Sequence, residues 1–249
     1  MSVAFEPIQR NDIAASPVRQ RRRFSLDEYE RMVSCGILTK QHRVELIRGE
    51  NLEKIWVSGS RFRPHHQFSL EDFERMIEVG ILTEQDRCEL IRGDIIEKMT
   101  IGESHAACVK RLNRLFNNRL GSKVIVGIQD PVIVAESHPE PDVTLLVPQD
   151  DFYVSSTPRS ADILLLIEVA DSSLGYDRTI KLSLYAEAGV CEYWIANLND
   201  ECVEVYRNPQ PNGTYADDHV WKLGETLSIL RLAGVSVAVD DVFNARRDR

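Results

Sequence analysis

A tandem repeat at an offset of 44 residues constrains this chain more than any other feature. The stretch from Phe24 to Ile55 realigns on Phe68 to Met99 with 19 identities over 32 positions. The shared residues include Gly36-Ile37-Leu38-Thr39 and Glu45-Leu46-Ile47-Arg48-Gly49 of the first copy. Two copies are too few for a stacked solenoid, which needs about three or more repeats, so the segment reads as a local duplication. Within each copy a serine and an acidic residue three positions on (Ser25 with Glu28, Ser69 with Asp72) predict a capping box. Leu26, Tyr29 and Met32, and their counterparts Leu70, Phe73 and Met76, recur at helical spacing, and Gly36 or Gly80 then stops the helix. The ELIRG segments predict a hairpin with Arg-Gly in its turn.

The flanks of the duplication divide the chain. Residues 1–22 show no clear period and end in a basic cluster (Arg19, Arg21, Arg22, with Arg23 beside it), the composition of a disordered, solvated tail. Residues 56–66 form a short linker rich in Gly, Ser, Pro and basic side chains, and only the second copy runs directly onward. The expected organisation is a tail over 1–22, a duplicated helix-hairpin segment over 23–66 and a main domain over 67–249.

Beyond Met99 the two structural periods alternate. Glu103 to Leu120 is predicted helical, with Ala106, Val109, Leu112, Phe116 and Leu120 on one side and Gly121 at its end. Strands are expected over 123–128, 131–135 and 142–147. Ile163 to Val169 is a nearly continuous apolar run, as in a strand covered on both faces. A helix over 177–188, capped by Asp177 and stopped by Gly189, precedes strands over 192–196 and 202–207, which flank an Asn199-Asp200 turn. The expected class is α/β, or α+β mixed, with a central mixed sheet flanked by helices.

Composition excludes several functions. No apolar run approaches the roughly 18 residues of a membrane span, and no signal-peptide core opens the chain. Five cysteines without a CxxC pair argue against a disulfide framework or zinc knuckle and fit a reducing, cytoplasmic compartment. A net charge of −9 is unlike a non-specific nucleic-acid binder, yet leaves room for an enzyme that meets nucleic acid at a local metal site. The chain has no phosphate-binding glycine loop, HExxH or GxSxG, so the chemistry those motifs serve has no support.

Two carboxylates stand at informative places. Asp142 opens a strand after Glu140-Pro141, and Glu168 ends the buried apolar strand, where a charge is costly unless paired. A divalent cation such as Mg²⁺ or Mn²⁺ would satisfy both carboxylates, and so would an arginine at a strand end; the residues alone leave both open. Lys181 lies one helical turn after the predicted cap Asp177. Helical side chains lean toward the N-terminus, which directs its ammonium toward the loop after Glu168, where it could orient a water or steady charge on a phosphate.

The chain carries, in order, Pro139-Glu140-Pro141-Asp142, Ile167-Glu168-Val169-Ala170-Asp171-Ser172-Ser173, Tyr176-Asp177-Arg178 with Lys181, and Tyr185 with Gly189-Val190-Cys191-Glu192-Tyr193-Trp194. Together with the upstream Arg87-Cys88-Glu89-Leu90-Ile91, Gly93 and His105, this colinear set resembles the Uma-type restriction endonuclease family over about residues 67–207. The resemblance implies the restriction-endonuclease-like fold of the PD-(D/E)XK superfamily and metal-dependent cleavage of phosphodiester bonds, in DNA, by a homodimer. It implies Asp142, Glu168 and the Val169 carbonyl as ligands of Mg²⁺ or Mn²⁺. The superfamily lysine would fall at Ala170; in this family's pattern it has moved to Lys181. Glu89 and His105 are further catalytic candidates by the same resemblance. The rival expectation is a non-catalytic nucleic-acid- or protein-binding module that keeps the fold.

Overall fold

The computed structural model describes residues 19–53 and 64–243. Most of the tail and of the linker between the copies lies outside the described residues. The chain forms two compact units: residues 19–99 with 136–139, and residues 100–135 with 140–243.

The first unit contains both copies of the repeat. Helix α1 spans Leu26–Ser34 and helix α2 Leu70–Glu78, and each opens with the predicted capping box at Ser25 or Ser69. Two orphan backbone donors are satisfied reciprocally at each start. Gly36 and Gly80 follow at φ 81° and 71°, a left-handed stop that glycine adopts without strain. The hairpins are β1 (Val44–Ile47) with β2 (Glu50–Glu53), and β3 (Cys88–Ile91) with β4 (Asp94–Glu97). Their two-residue turns place Arg48, Gly49, Arg92 and Gly93 all at positive φ, the I′ geometry that matches strand twist. At Gly93 a Cβ would also collide with the Gln67 side chain. Met32, Met76, Phe24, Phe68, Phe73 and Leu90 share one buried core. Arg21 and Arg22, expected to close a solvated tail, instead lie in extended backbone against β4: Arg22 N–H donates to Ile95 O at 2.8 Å. Arg22 also pairs with Asp86 at 2.7 Å.

The second unit is built on a six-stranded mixed sheet ordered β10-β9-β8-β7-β6-β5. The strands are β5 (Ile125–Gly127), β6 (Val143–Leu146), β7 (Ile163–Ala170), β8 (Glu192–Asn197), β9 (Cys202–Gln210) and β10 (Thr214–Trp221). Only β7 and β8 are parallel, and a parallel neighbour requires a crossover, here the helical run 174–187 between them. On β7 seven of eight residues are buried. Leu165, Ile167 and Val169 meet Leu112 and Phe116 of α3 (Glu103–Leu120) in the main core.

Some local expectations fail. Residues 131–135 form no strand: Pro131 lacks a donor, Ala135 sits at φ 51°, and Ile133 and Val134 make bridges only, that of Ile133 to Arg159. Asp177 is not a helix cap. The helical run starts earlier, at α4 (Leu174–Tyr176), widens into a π-helix over Asp177–Lys181 and continues as α5 (Leu182–Glu187). The remainder, expected as strand and loop, holds a small antiparallel pair, β11 (Thr226–Ser228) with β12 (Ser236–Ala238), and also a helix, α6 (Val239–Phe243), which was not expected.

Candidate active site

The site gathers where β6 and β7 run side by side in the second unit. Val143 pairs with Ile167 in an antiparallel ladder, and continuing that register by one residue sets Asp142 across from Glu168. Asp142 Oδ2 accepts the Val169 backbone N–H at 2.8 Å and lies 3.0 Å from His105 Nε2. Its Oδ1 accepts the Gln129 side-chain amide at 3.2 Å. Burial alone would raise the Asp142 pKa, but the hydrogen bond and charge of His105, helped by Val169 N–H and Gln129, hold it below the usual carboxylate value. Burial likewise pushes His105 down, and the bond and charge of Asp142, with the charges of Glu168 and Asp177, outweigh it and hold the imidazole above its ordinary value. Both shifts favour the ionised pair.

Glu168 is 5% exposed and Lys181 is 1% exposed, so a full ion pair is buried. Lys181 Nζ donates to Glu168 Oε1 at 3.1 Å, and the Tyr185 hydroxyl donates to the same oxygen at 2.6 Å. Lys181 and Tyr185 are four residues apart and so share a helix face; the ammonium also lies 5.8 Å from the tyrosine ring centroid. Buried charges are tolerated when paired and hydrogen-bonded, and Glu168 has both kinds of partner. The lysine reaches the carboxylate from the π-helical turn, a distortion common at functional sites. Beside it, buried Asp177 accepts the Ser173 hydroxyl at 2.5 Å, and its carbonyl accepts the Tyr193 hydroxyl at 3.2 Å.

Asp142, Val169, Glu168, Lys181 and His105 thus belong to one connected arrangement. Glu89 lies in the other unit, on β3, where it is buried and its carboxylate stands 3.4 Å from the Arg19 guanidinium. Two members of the site were not among the site residues expected from the sequence, although Tyr185 stands in the family motif. Gln129 is placed by a left-handed backbone at φ 56°, and its own N–H donates to the Asp142 carbonyl at 3.2 Å; only the Gln129-Asp130-Pro131 turn chemistry hinted at it. Tyr185 could have been found from its spacing to Lys181.

No three His, Cys, Asp or Glu side chains among the described residues converge as a metal cage. The donors at hand are two carboxylates and a backbone carbonyl, all hard oxygens. That set fits Mg²⁺ or Mn²⁺, since magnesium is often held by one or two carboxylates, with waters and substrate phosphates completing its shell. Among the described residues no helix is long and apolar enough to cross a membrane.

A search of curated proteins gives no match. In fold the chain is similar to a crystal structure titled as a "putative nuclease belonging to DUF820" from Anabaena variabilis, with a TM-score of 0.59 at 16% identity. That likeness covers 71% of this chain and 98% of the other. The mixed sheet with flanking helices is therefore the fold of that structure, and a family model described as "Putative restriction endonuclease" matches residues 70–240, so that the chain belongs to the Uma2 family.

Proposed function

We propose that the chain is a metal-dependent endonuclease that hydrolyses phosphodiester bonds in DNA. The observation that carries this reading is the buried pairing of Lys181 with Glu168, one strand from an ionised Asp142. Burial of three charged side chains is costly for stability alone, and such groups cluster where chemistry needs them. Asp142, Glu168 and the Val169 carbonyl would hold Mg²⁺ or Mn²⁺. When bound there, the ion supplies Lewis-acid polarisation of a phosphoryl oxygen and acidifies a water.

The protein's own groups do the rest. Tyr185 and Lys181 fix the orientation of Glu168 through one oxygen, which presents the carboxylate in a single geometry. The ammonium of Lys181 adds a positive charge in a water-poor site, where it stabilises negative charge developing on the phosphate. His105, Gln129 and the Val169 N–H hold Asp142 ionised. Cutting both strands of a duplex calls for two such sites, so a homodimer is part of this proposal.

The test is cleavage of plasmid DNA with Mg²⁺ or Mn²⁺ by wild type, D142A and E168A, each checked by circular dichroism. Both variants should lose cleavage while keeping the fold; undiminished cutting by both would overturn the assignment. Calorimetric titration of Mn²⁺ into wild type and D142A reads the ion directly. Binding lost in D142A supports the carboxylate site, whereas no binding to wild type would favour a non-catalytic binding module.

A further inference from the structure

The two copies of the repeat are related by more than sequence. Glu97 N–H donates to Gln20 O at 2.9 Å; in the equivalent bond Glu53, 44 residues before Glu97, donates its N–H at 2.9 Å to the carbonyl of Pro64, 44 residues after Gln20. Arg22 N–H donates to Ile95 O at 2.8 Å, and its counterpart His66 N–H donates to Asn51 O at 2.9 Å. Residues 20–22, which lead into the first copy, thus complete the hairpin of the second. Residues 64–66, which lead into the second, complete the hairpin of the first. Met32 and its counterpart Met76 are both fully buried in the shared core, and the equivalent rings Phe24 and Phe68 meet edge to face at 6.2 Å. This is the pattern of an isologous dimer, in which one patch serves both partners, closed here within a single chain.

The charges at the exchanged strands are not symmetric. Arg22 pairs with Asp86 at 2.7 Å and with Glu28 at 2.8 Å. At the equivalent place His66 faces His42, with ring centroids 5.2 Å apart. A pairing of two first copies would set Arg22 against His42, with no attraction to offer. A pairing of two second copies would set His66 against Asp86, an acceptable imidazole–carboxylate contact.

We propose that the first copy is a built-in stand-in for a second subunit. Residues 20–53 cover in cis a face of the second copy that is self-complementary and would otherwise take a second copy of this chain. Tethering gives the internal partner an effective concentration in the millimolar range, so through this face the intact protein is closed. Any homodimer that brings two active sites together uses a different face.

Two experiments on the full chain test this. Arg21 and Ile96 are directly opposed across the exchanged strands; oxidised R21C/I96C, with the single variants as controls for the native cysteines, should link within one chain. A covalent dimer on a non-reducing gel would overturn the cis arrangement. R22D sets like charge against Asp86 and Glu28 while sparing the His66–Asp86 contact. By light scattering it should self-associate beyond the wild-type mass, from one 28.4 kDa chain to two if the wild type is a monomer and past the dimer if the wild type is the homodimer proposed above. R22A should do so to a smaller extent, and R22D/D86R, which restores opposite charges in cis, should return to the wild-type mass. R22D or R22A that folds natively but adds no self-association at rising concentration would overturn the self-complementary face, and the cross-link decides the cis claim even if R22D fails to fold.

Discussion

Replacing Lys181 by methionine removes the ammonium from Glu168 while keeping most of the side chain's volume. The side chains of Lys181 and Glu168 are 1% and 7% exposed and their charged atoms lie 3.1 Å apart. Solvent therefore cannot take over the lost interaction. Taking one partner from a buried ion pair costs about 3–5 kcal/mol, because the other charge stays buried. The Tyr185 hydroxyl, 2.6 Å from the same carboxylate oxygen, remains in K181M and keeps the loss toward the lower end of that range. For a chain of this size about 1 kcal/mol moves the melting temperature by roughly 2–4 °C, so a fall of roughly 6–12 °C is expected. Urea unfolding in EDTA, followed by far-UV circular dichroism and tryptophan emission, reads the loss without interference from metal. Trp194 is well placed as a reporter, since it pairs with Ile167 on β7. The double variant E168Q/K181M should recover most of the stability, giving a coupling of about 1–3 kcal/mol. K181M within about 1 kcal/mol of wild type, with no coupling to E168Q, would refute a buried, energetically engaged pair.

Other outcomes follow from the same geometry. Y185F loses one charge-assisted hydrogen bond and should cost about 1.5–3 kcal/mol by urea unfolding, with DNA cleavage falling alongside it. R178M removes a bidentate partner of fully buried Glu204 and should destabilise by about 3–5 kcal/mol, seen as a lowered melting temperature with unchanged metal titration. Burial, then the neighbouring His42, holds His66 below its ordinary pKa of about 6.5. The unfolded chain therefore binds the proton more readily, and stability is full above about pH 6.5 and declines as pH falls toward the folded value. Hydrogen exchange in residues 19–99 should rise from pH 7 to pH 5 beyond the intrinsic pH effect, and H66Q should flatten that rise.

What the sequence determined by itself was local. The capping boxes at Ser25 and Ser69, the Arg-Gly hairpin turns and the helix from Glu103 to Leu120 all depend on residues within a few positions of one another, so spacing alone reveals them. The apolar run ending in Glu168 marked the central strand, because only a strand covered on both faces is apolar throughout. Of the candidate site, Asp142 and Glu168 stood out as carboxylates at the ends of predicted strands. Tertiary structure decided the rest. Which strands residues 20–22 and 64–66 join depends on partners far along the chain, and hydrogen-bonding backbone carries no sequence label. The π-helical turn that delivers Lys181 to Glu168 stands where the sequence predicted a helix cap at Asp177. Gln129 reaches Asp142 only because the chain turns through a left-handed residue after β5. Periodicity exposes the elements; the charges and hydrogen bonds that make a site appear once those elements are packed.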